Sequence, residues 1–275
     1  MTNRAFRFGV VSTPQDDVDR WLNLARRVEA LGYSSLLMPD GLHLLSPWAS
    51  LAAAASATSA LKVGTFVLAS PLRHPRVAAW DAHSLAVMTR GRLELGIGTG
   101  RPEVARQAME LLGMPAASPA QRLAQVEQTI DHLRQLDGDQ HTPIMIAAGG
   151  RQARALAAAR ADIVALAAAP LASRDEVALL HADLRQAAGS RFESLELSMN
   201  IFVVGDQVPP WMERFIGSDS ATLAKHDSLT MLRGTPSEMA DELKRRRDTF
   251  GVSYVTVNAA FLEQMASVVE LLAGQ

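Results

Sequence analysis

The stretch "GRLELGIGTGRPE" (91–103) sets Gly96, Gly98 and Gly100 between an apolar run and Glu103. Backbone N–H groups of Gly98, Thr99 and Gly100, uncovered by side chains and followed by a helix N-terminus, suit an anion. The same glycines also suit a tight strand-to-helix turn that needs positive φ. A dinucleotide fingerprint fails on spacing, because the third glycine of G-x-G-x-x-G falls on Arg101. A second pair, Gly149 and Gly150, ends the run "TPIMIAAGG", and Arg151 opens the next helical pattern. Two glycine-rich exits after successive runs favour phosphate binding over isolated turns. Arg151 supplies a cation there, or else begins a solvated helix.

Titratable groups stand at two further exits. "MPDGLH" carries Asp40 and His43, and "ASPLRHPR" carries Ser70, Arg73 and His74 before Pro75. His43 is the candidate acid or base, since imidazole titrates near neutrality. Asp40 either orients it, bonds a cofactor, or holds a turn. Thr99 and Arg101 join the candidates at the glycine-rich exit. His83, His132, His141, His181 and His226 show neither H-E-x-x-H nor a carboxylate cluster at ligand spacing, so no metal site is expected. "ELKRRR" (242–247) reads as the solvated face of a helix.

Composition narrows the classes. Cysteine is absent, which removes disulfides, thiolate nucleophiles and Cys-ligated zinc and fits a reducing compartment, the cytoplasm. A formal charge of -2 draws the chain to neither nucleic acid nor an anionic membrane. No apolar run reaches about 18 residues, and "MTNRAFRFGVV" lacks the apolar core of a signal peptide.

These side chains must be positioned by regular elements. Apolar or β-branched runs fall at 6–12, 34–40, 61–70, 92–98, 142–150, 162–168, 195–205 and 252–258. Helical patterns lie between them at 16–31, 75–88, 121–136, 151–160, 174–188 and 237–250. Eight strands in alternation with helices, nearly continuous in apolar character, predict a parallel α/β fold of the (β/α)8, TIM-barrel kind. All the candidate residues then sit at strand C-terminal ends, on one face. One domain, 1–275, is expected, with residues 206–233 as a lid or insertion. The small residues of "PWASLAAAASATSAL" (47–61) permit close helix approach, in a homodimer or on the barrel.

The runs "LAAAASATSALKVGTFVLASPLRHP", "GRLELGIGTGRPE", "TPIMIAAGGRQARALAAARAD" and "GTPSEMADELKRRRDTFGVSYVTV", in that order, resemble the luciferase-like monooxygenase superfamily, especially its F420-dependent oxidoreductases. The resemblance implies a luciferase-like (β/α)8 barrel holding the deazaflavin F420, or alternatively FMN. By the same resemblance, Ala69 and Ser70 contact the ring and its phosphate-side chain, and Gly149, Gly150 and Gln152 approach the phosphate. It also implies a non-proline cis peptide near "VLAS". Family members commonly place His directly after the Asp of the second exit, whereas this chain reads Asp40, Gly41, Leu42, His43. The expected function is hydride transfer between the cofactor ring and a small organic substrate. The alternatives are an FMN-dependent monooxygenase, a cofactor-binding barrel without catalysis, and an aldolase or isomerase acting on a phosphorylated metabolite.

Overall fold

Each apolar run of the sequence becomes a strand in the computed structural model, which describes residues 4–275; residues 1–3 of the expected domain lie outside the described residues. The elements begin β1 (Arg7–Val11), α1 (Val18–Ala30), β2 (Ser35–Met38), α2 (Pro47–Ser56), β3 (Lys62–Thr65), β4 (Leu68–Ala69), α3 (Pro75–Met88), β5 (Leu93–Gly98), α4 (Pro102–Leu111), α5 (Pro119–Asp137) and β6 (Ile144–Ala147). They continue α6 (Arg151–Arg160), β7 (Ile163–Leu166), α7 (Arg174–Ala188), β8 (Glu196–Ile201), β9 (Val203–Val204), α8 (Pro210–Ile216), α9 (Ser220–Lys225), β10 (Met231–Leu232), α10 (Pro236–Phe250), β11 (Val252–Asn258) and α11 (Leu262–Leu272). The fold is α/β, a (β/α)8 barrel. Its chain divides into two units, one built mainly of Ser35–Ala147, the other mainly of Ala148–Gln275 with β1.

In the first unit β2 pairs in parallel with β3, β3 and β4 with β5, and β5 with β6. The strands are buried except at Lys62 and Ala147, and α3 and α5 pack beside them, with Ala78, Ala79, Ala82, Val126, Ile130 and Leu133 in the core. Helix α2 is shorter than the Ala-rich run: it ends at Ser56, where Arg92 caps it by donating from Nη2 to the Ala55 carbonyl at 2.7 Å. Ala54 and Ala55 face the core.

In the second unit β11 and β7 both pair in parallel with β8. Side chains two residues apart share a face of a strand, and here the faces differ in kind. Leu197, Met199, Ile201, Val255 and Val257 are apolar and buried. The other face carries Glu196, Ser198 and Asn200 beside Tyr254 and Thr256. Arg7 forks onto Glu196 at 2.7 and 2.6 Å and lies over the Tyr254 ring. Further along, Thr256 Oγ1 donates to Asn200 Oδ1 at 2.9 Å.

The segment 206–233 forms α8, α9 and β10, and β10 pairs in parallel with β9. Met212 and Met231 are core residues, while Trp211 and Phe215 are half exposed. Its base is tied to the chain after β7, with Ser228 Oγ and Thr230 Oγ1 both donating to the Pro170 carbonyl. The second tie corrects the sequence reading of 242–247 as a solvated face. Arg246 is only 3% exposed and donates to the Leu229 and Met231 carbonyls at 2.6 and 3.0 Å. Glu242 balances it and also takes Arg174.

That arrangement makes stability depend on acid. Burial alone would raise the Glu242 carboxyl, but hydrogen bonds and charge from Arg246 and Arg174 outweigh it and hold it at about 2. The folded value lies below the ordinary one, so the stabilisation is complete above about pH 4.5 and is lost as pH falls toward about 2. Glu242→Gln keeps an acceptor but leaves Arg246 without its countercharge, at a cost of about 2 kcal/mol at pH 7. Urea unfolding should show this gap at neutral pH and its closure in acid. A gap that stays constant from pH 7 to pH 3 would count against the ion-paired account.

Candidate functional site

Between β3 and β4 the chain bulges. Gly64 pairs with Glu94 and Leu68 with Ile97, so the third strand spends one more residue than its neighbour over the same distance. The bulge contains a cis peptide between Phe66 and Val67, at the edge of the "VLAS" segment where the resemblance placed one. The glycines of β5 make room for it. A Cβ on Gly96 would stand 2.0 Å from the Thr65 carbonyl oxygen, and one on Gly98 would stand 2.9 Å from Val67 Cγ2. The Thr65 hydroxyl donates to the Gly96 carbonyl at 2.6 Å. Packing against the bulge is therefore the steric demand at Gly98, and Gly100 alone of the three has positive φ, +70°.

Asp40 anchors the far side of the bulge. Its side chain is 2% exposed. Oδ2 accepts from the Ala69 N–H at 2.9 Å and from Arg73 Nη1 at 2.5 Å, and Oδ1 accepts from Arg73 Nη2 at 3.0 Å. This bidentate pair fixes the exit of β4 and the 3-10 turn Ser70–Leu72 that follows. Arg73 was noted at that exit but not assigned a role; a buried carboxylate that needs a countercharge is the signal that finds it. Asp81 is a residue the sequence reading missed. Burial raises its carboxyl above the usual range, with Arg73 partly opposing the shift.

Ser70 is buried, and its Oγ has no hydrogen-bond partner among the described residues. The turn is covered by α4, with Ala69, Leu72 and Ala108 in one buried cluster. Thr99 and Gly100 are half-buried at the end of β5, and Arg101 is exposed before α4. His43 is exposed, yet its ring folds back over its own loop: a Cβ on Gly41 would stand 2.8 Å from His43 Cε1 and 3.0 Å from Nδ1. The imidazole thus occupies the place a side chain at position 41 would take.

In the unit built mainly of Ala148–Gln275, Gly149, Gly150, Arg151 and Gln152 are all exposed at the start of α6. No side chain caps this helix; Gly150 is its N-cap residue. A Cβ on Gly150 would meet nothing within 4 Å. Arg154, which the sequence reading passed over, donates to the Gly149 carbonyl at 2.8 Å and pairs with Asp183 at 3.0 Å. Unmatched N–H groups, the positive end of the helix dipole and the exposed Arg151 make this terminus receptive to an anion. No group of three or more metal-ligating side chains occurs among the described residues. No helix there is long and apolar enough to cross a membrane.

The family described as luciferase-like monooxygenase matches residues 4–209. The F420-dependent hydroxymycolic acid dehydrogenase of Mycobacterium tuberculosis is 34% identical over 100 residues, 33% of this chain and 28% of that protein. Curated relatives of this kind are matched over less than half of their own length. Among solved structures, the F420-dependent tetrahydromethanopterin reductase of Methanopyrus kandleri superposes with a TM-score of 0.73 at 16% identity, covering 98% of this chain and 99% of that one. The oxygenating constituent of 3,6-diketocamphane monooxygenase from Pseudomonas putida, in complex with FMN, gives 0.70 at 15% identity over 97% and 95%.

The packing at Gly98 is open to test through its partner. Gly98→Ala should cost about 1–3 kcal/mol by overpacking against Val67, and Val67→Ala in the same chain should recover part of that loss. Thermal unfolding of the two single variants and the double variant measures it. Strict additivity of the two losses would remove the steric account of Gly98.

Proposed function

The chain belongs to the luciferase-like monooxygenase family, and on that premise we propose that it is a cytoplasmic F420-dependent oxidoreductase moving a hydride between the deazaflavin and a small organic substrate. A flavin-type cofactor is what the F420 and FMN relatives have in common. The observation that carries the reading is Ser70, a buried hydroxyl without a partner on a bulged strand exit, where Asp40 and Arg73 hold the backbone still. An orphaned buried hydroxyl of this kind fits a polar group supplied from outside the chain.

When bound, such a cofactor supplies the hydride chemistry, so the chain needs no nucleophile of its own. Ala69 offers a small side chain to the face of the ring, since its N–H is already engaged by Asp40. Ser70 supplies a hydroxyl to the cofactor's polar side chain. At the start of α6, the backbone N–H groups of Gly150, Arg151 and Gln152 receive the phosphate, Gly149 and Gly150 let it approach, and the Arg151 guanidinium neutralises it. Thr99 and Gly100 offer polar backbone at the end of β5, where Gly98 serves packing. His43 holds or takes the single proton that accompanies hydride transfer. Asp40 acts through position, both its oxygens being occupied.

An FMN-dependent monooxygenase is the second reading, favoured by the likeness to the FMN-bound oxygenating constituent. Fluorescence and absorbance titrations of the protein with F420 and with FMN separate the two. Tighter binding of F420 by about tenfold or more supports the first, and tighter binding of FMN replaces it with the second. In the same titration Arg151→Ala should weaken the preferred cofactor by roughly 10-fold to 100-fold. His43→Gln should leave affinity alone and slow turnover of an accepted substrate by about 10²-fold to 10⁴-fold. A rate within about threefold of wild type would make His43 an ordinary loop residue.

The expected homodimer has a candidate surface on α2 and α3. Ala54 points into the core, so the contact falls instead on Ala49 and Ala52 with Val77, Trp80 and Met88, all exposed, Trp80 at 63%. An apolar stripe of that kind on a helix pair is uncommon unless covered. Light scattering should give a dimer for the wild type and a monomer for Trp80→Glu. A wild-type monomer at micromolar concentration removes the idea.

A further inference from the structure

A cavity of about 280 Å³ lies between α4 and the chain leading into α5, lined by Glu103, Arg106 and Met109 on one side and by Ala116, Ala117 and Arg122 on the other. Its two guanidiniums set its chemistry. Arg73, Arg174 and Arg246 each hold a carboxylate. Arg106 and Arg122 hold none among the described residues, and Glu103 stands beyond ion-pair distance of both. Arg122 is fixed in place by donating from Nη1 to the Ala117 carbonyl at 3.1 Å, which leaves its Nε buried without an acceptor. One turn further along α5, Gln125 Oε1 is buried without a donor. A buried charged donor with no acceptor is unfavourable, and an anion placed against it relieves that cost.

We propose that this cavity binds a carboxylate-bearing ligand, with Arg122 and Arg106 as its cationic contacts and Met109, Ala116 and Ala117 against its methylenes. Guanidinium forks match carboxylates in pairs, and an excess of two cations over the one carboxylate of Glu103 leaves the cavity net positive. A glutamyl unit suits this lining, because it brings a carboxylate for the arginines on a short methylene stem that can lie against Met109, Ala116 and Ala117. Such a group arrives either as the oligoglutamyl tail of F420, a source that rests on the cofactor reading above, or as a separate acidic substrate.

The test uses the full chain with three ligands: triglutamate, F420, and the same deazaflavin without its glutamyl tail. Triglutamate should bind the wild type, and its affinity should fall about tenfold in Arg106→Gln and in Arg122→Gln. A wild-type preference of about tenfold for F420 over the tail-less deazaflavin, lost in Arg106→Gln, assigns the cavity to the tail. Equal affinity for the two deazaflavins, with triglutamate binding that depends on the arginines, assigns it to a separate acidic substrate. Because triglutamate needs no flavin site, a protein that binds neither deazaflavin still tests the cavity. Arg106 is exposed, so its replacement leaves the fold intact even where that of Arg122 does not. Triglutamate binding unchanged in both variants, or its absence together with no preference for the tail, overturns the proposal.

Discussion

A carboxylate removed from water must be met by cations and N–H donors, and Asp40 meets this demand with three donors from a segment that is otherwise irregular. Between Thr65 and Leu68 the third strand bulges away from β5, and its backbone is held by few ladder bonds. The Ala69 N–H and the Arg73 fork convert that weak stretch into a defined one. Ser70 inherits its position from both neighbours. The cluster of Ala69, Leu72 and Ala108 can form over the turn only because the turn is fixed first.

The strands were legible because burial on both faces leaves a continuous apolar run, which is hard to mistake. Helices 75–88, 151–160 and 174–188 have the bounds that periodicity and end signals indicate. α4 is expected only as a helix N-terminus after the glycine-rich exit, without its bounds, and α11 is not expected at all. α11, Leu262–Leu272, buries a regular stripe of Leu262, Met265, Val268, Val269 and Leu272 opposite Glu263, Gln264, Ser267 and Glu270, and it lies beyond the last strand.

Individual side chains were harder. Gly98 looks like an anion cradle in sequence because a missing side chain says nothing about which atom needs the room; the structure shows Val67 needing it. Arg246 sits in a run of charges that suggests solvent, yet it faces the chain at 229–231, a tertiary neighbour no local pattern specifies. The polar face of β8 and β11 shows the same limit. A strand such as "LELSMNI" counts as apolar in a window average, while its alternate positions Glu196, Ser198 and Asn200 form a polar row with Arg7 and Thr256. Period-two alternation within the run carried that information, and the eye for continuous hydrophobicity passed over it.

Positions 41 and 43 are sterically linked, and this bears on how the departure from the Asp-His pattern should be understood. The His43 ring fills the volume that a Cβ at 41 would enter. A side chain at 41 and an imidazole folded back from 43 therefore exclude one another. Glycine at 41 is the condition for the ring to fold back across the turn closed by the Leu44 N–H and the Gly41 carbonyl. The imidazole of this loop is rooted two residues after the position that the resemblance implies, and it folds back over Gly41 while remaining exposed. That placement leaves the imidazole exposed while the Asp40 carboxylate is buried under its own donors.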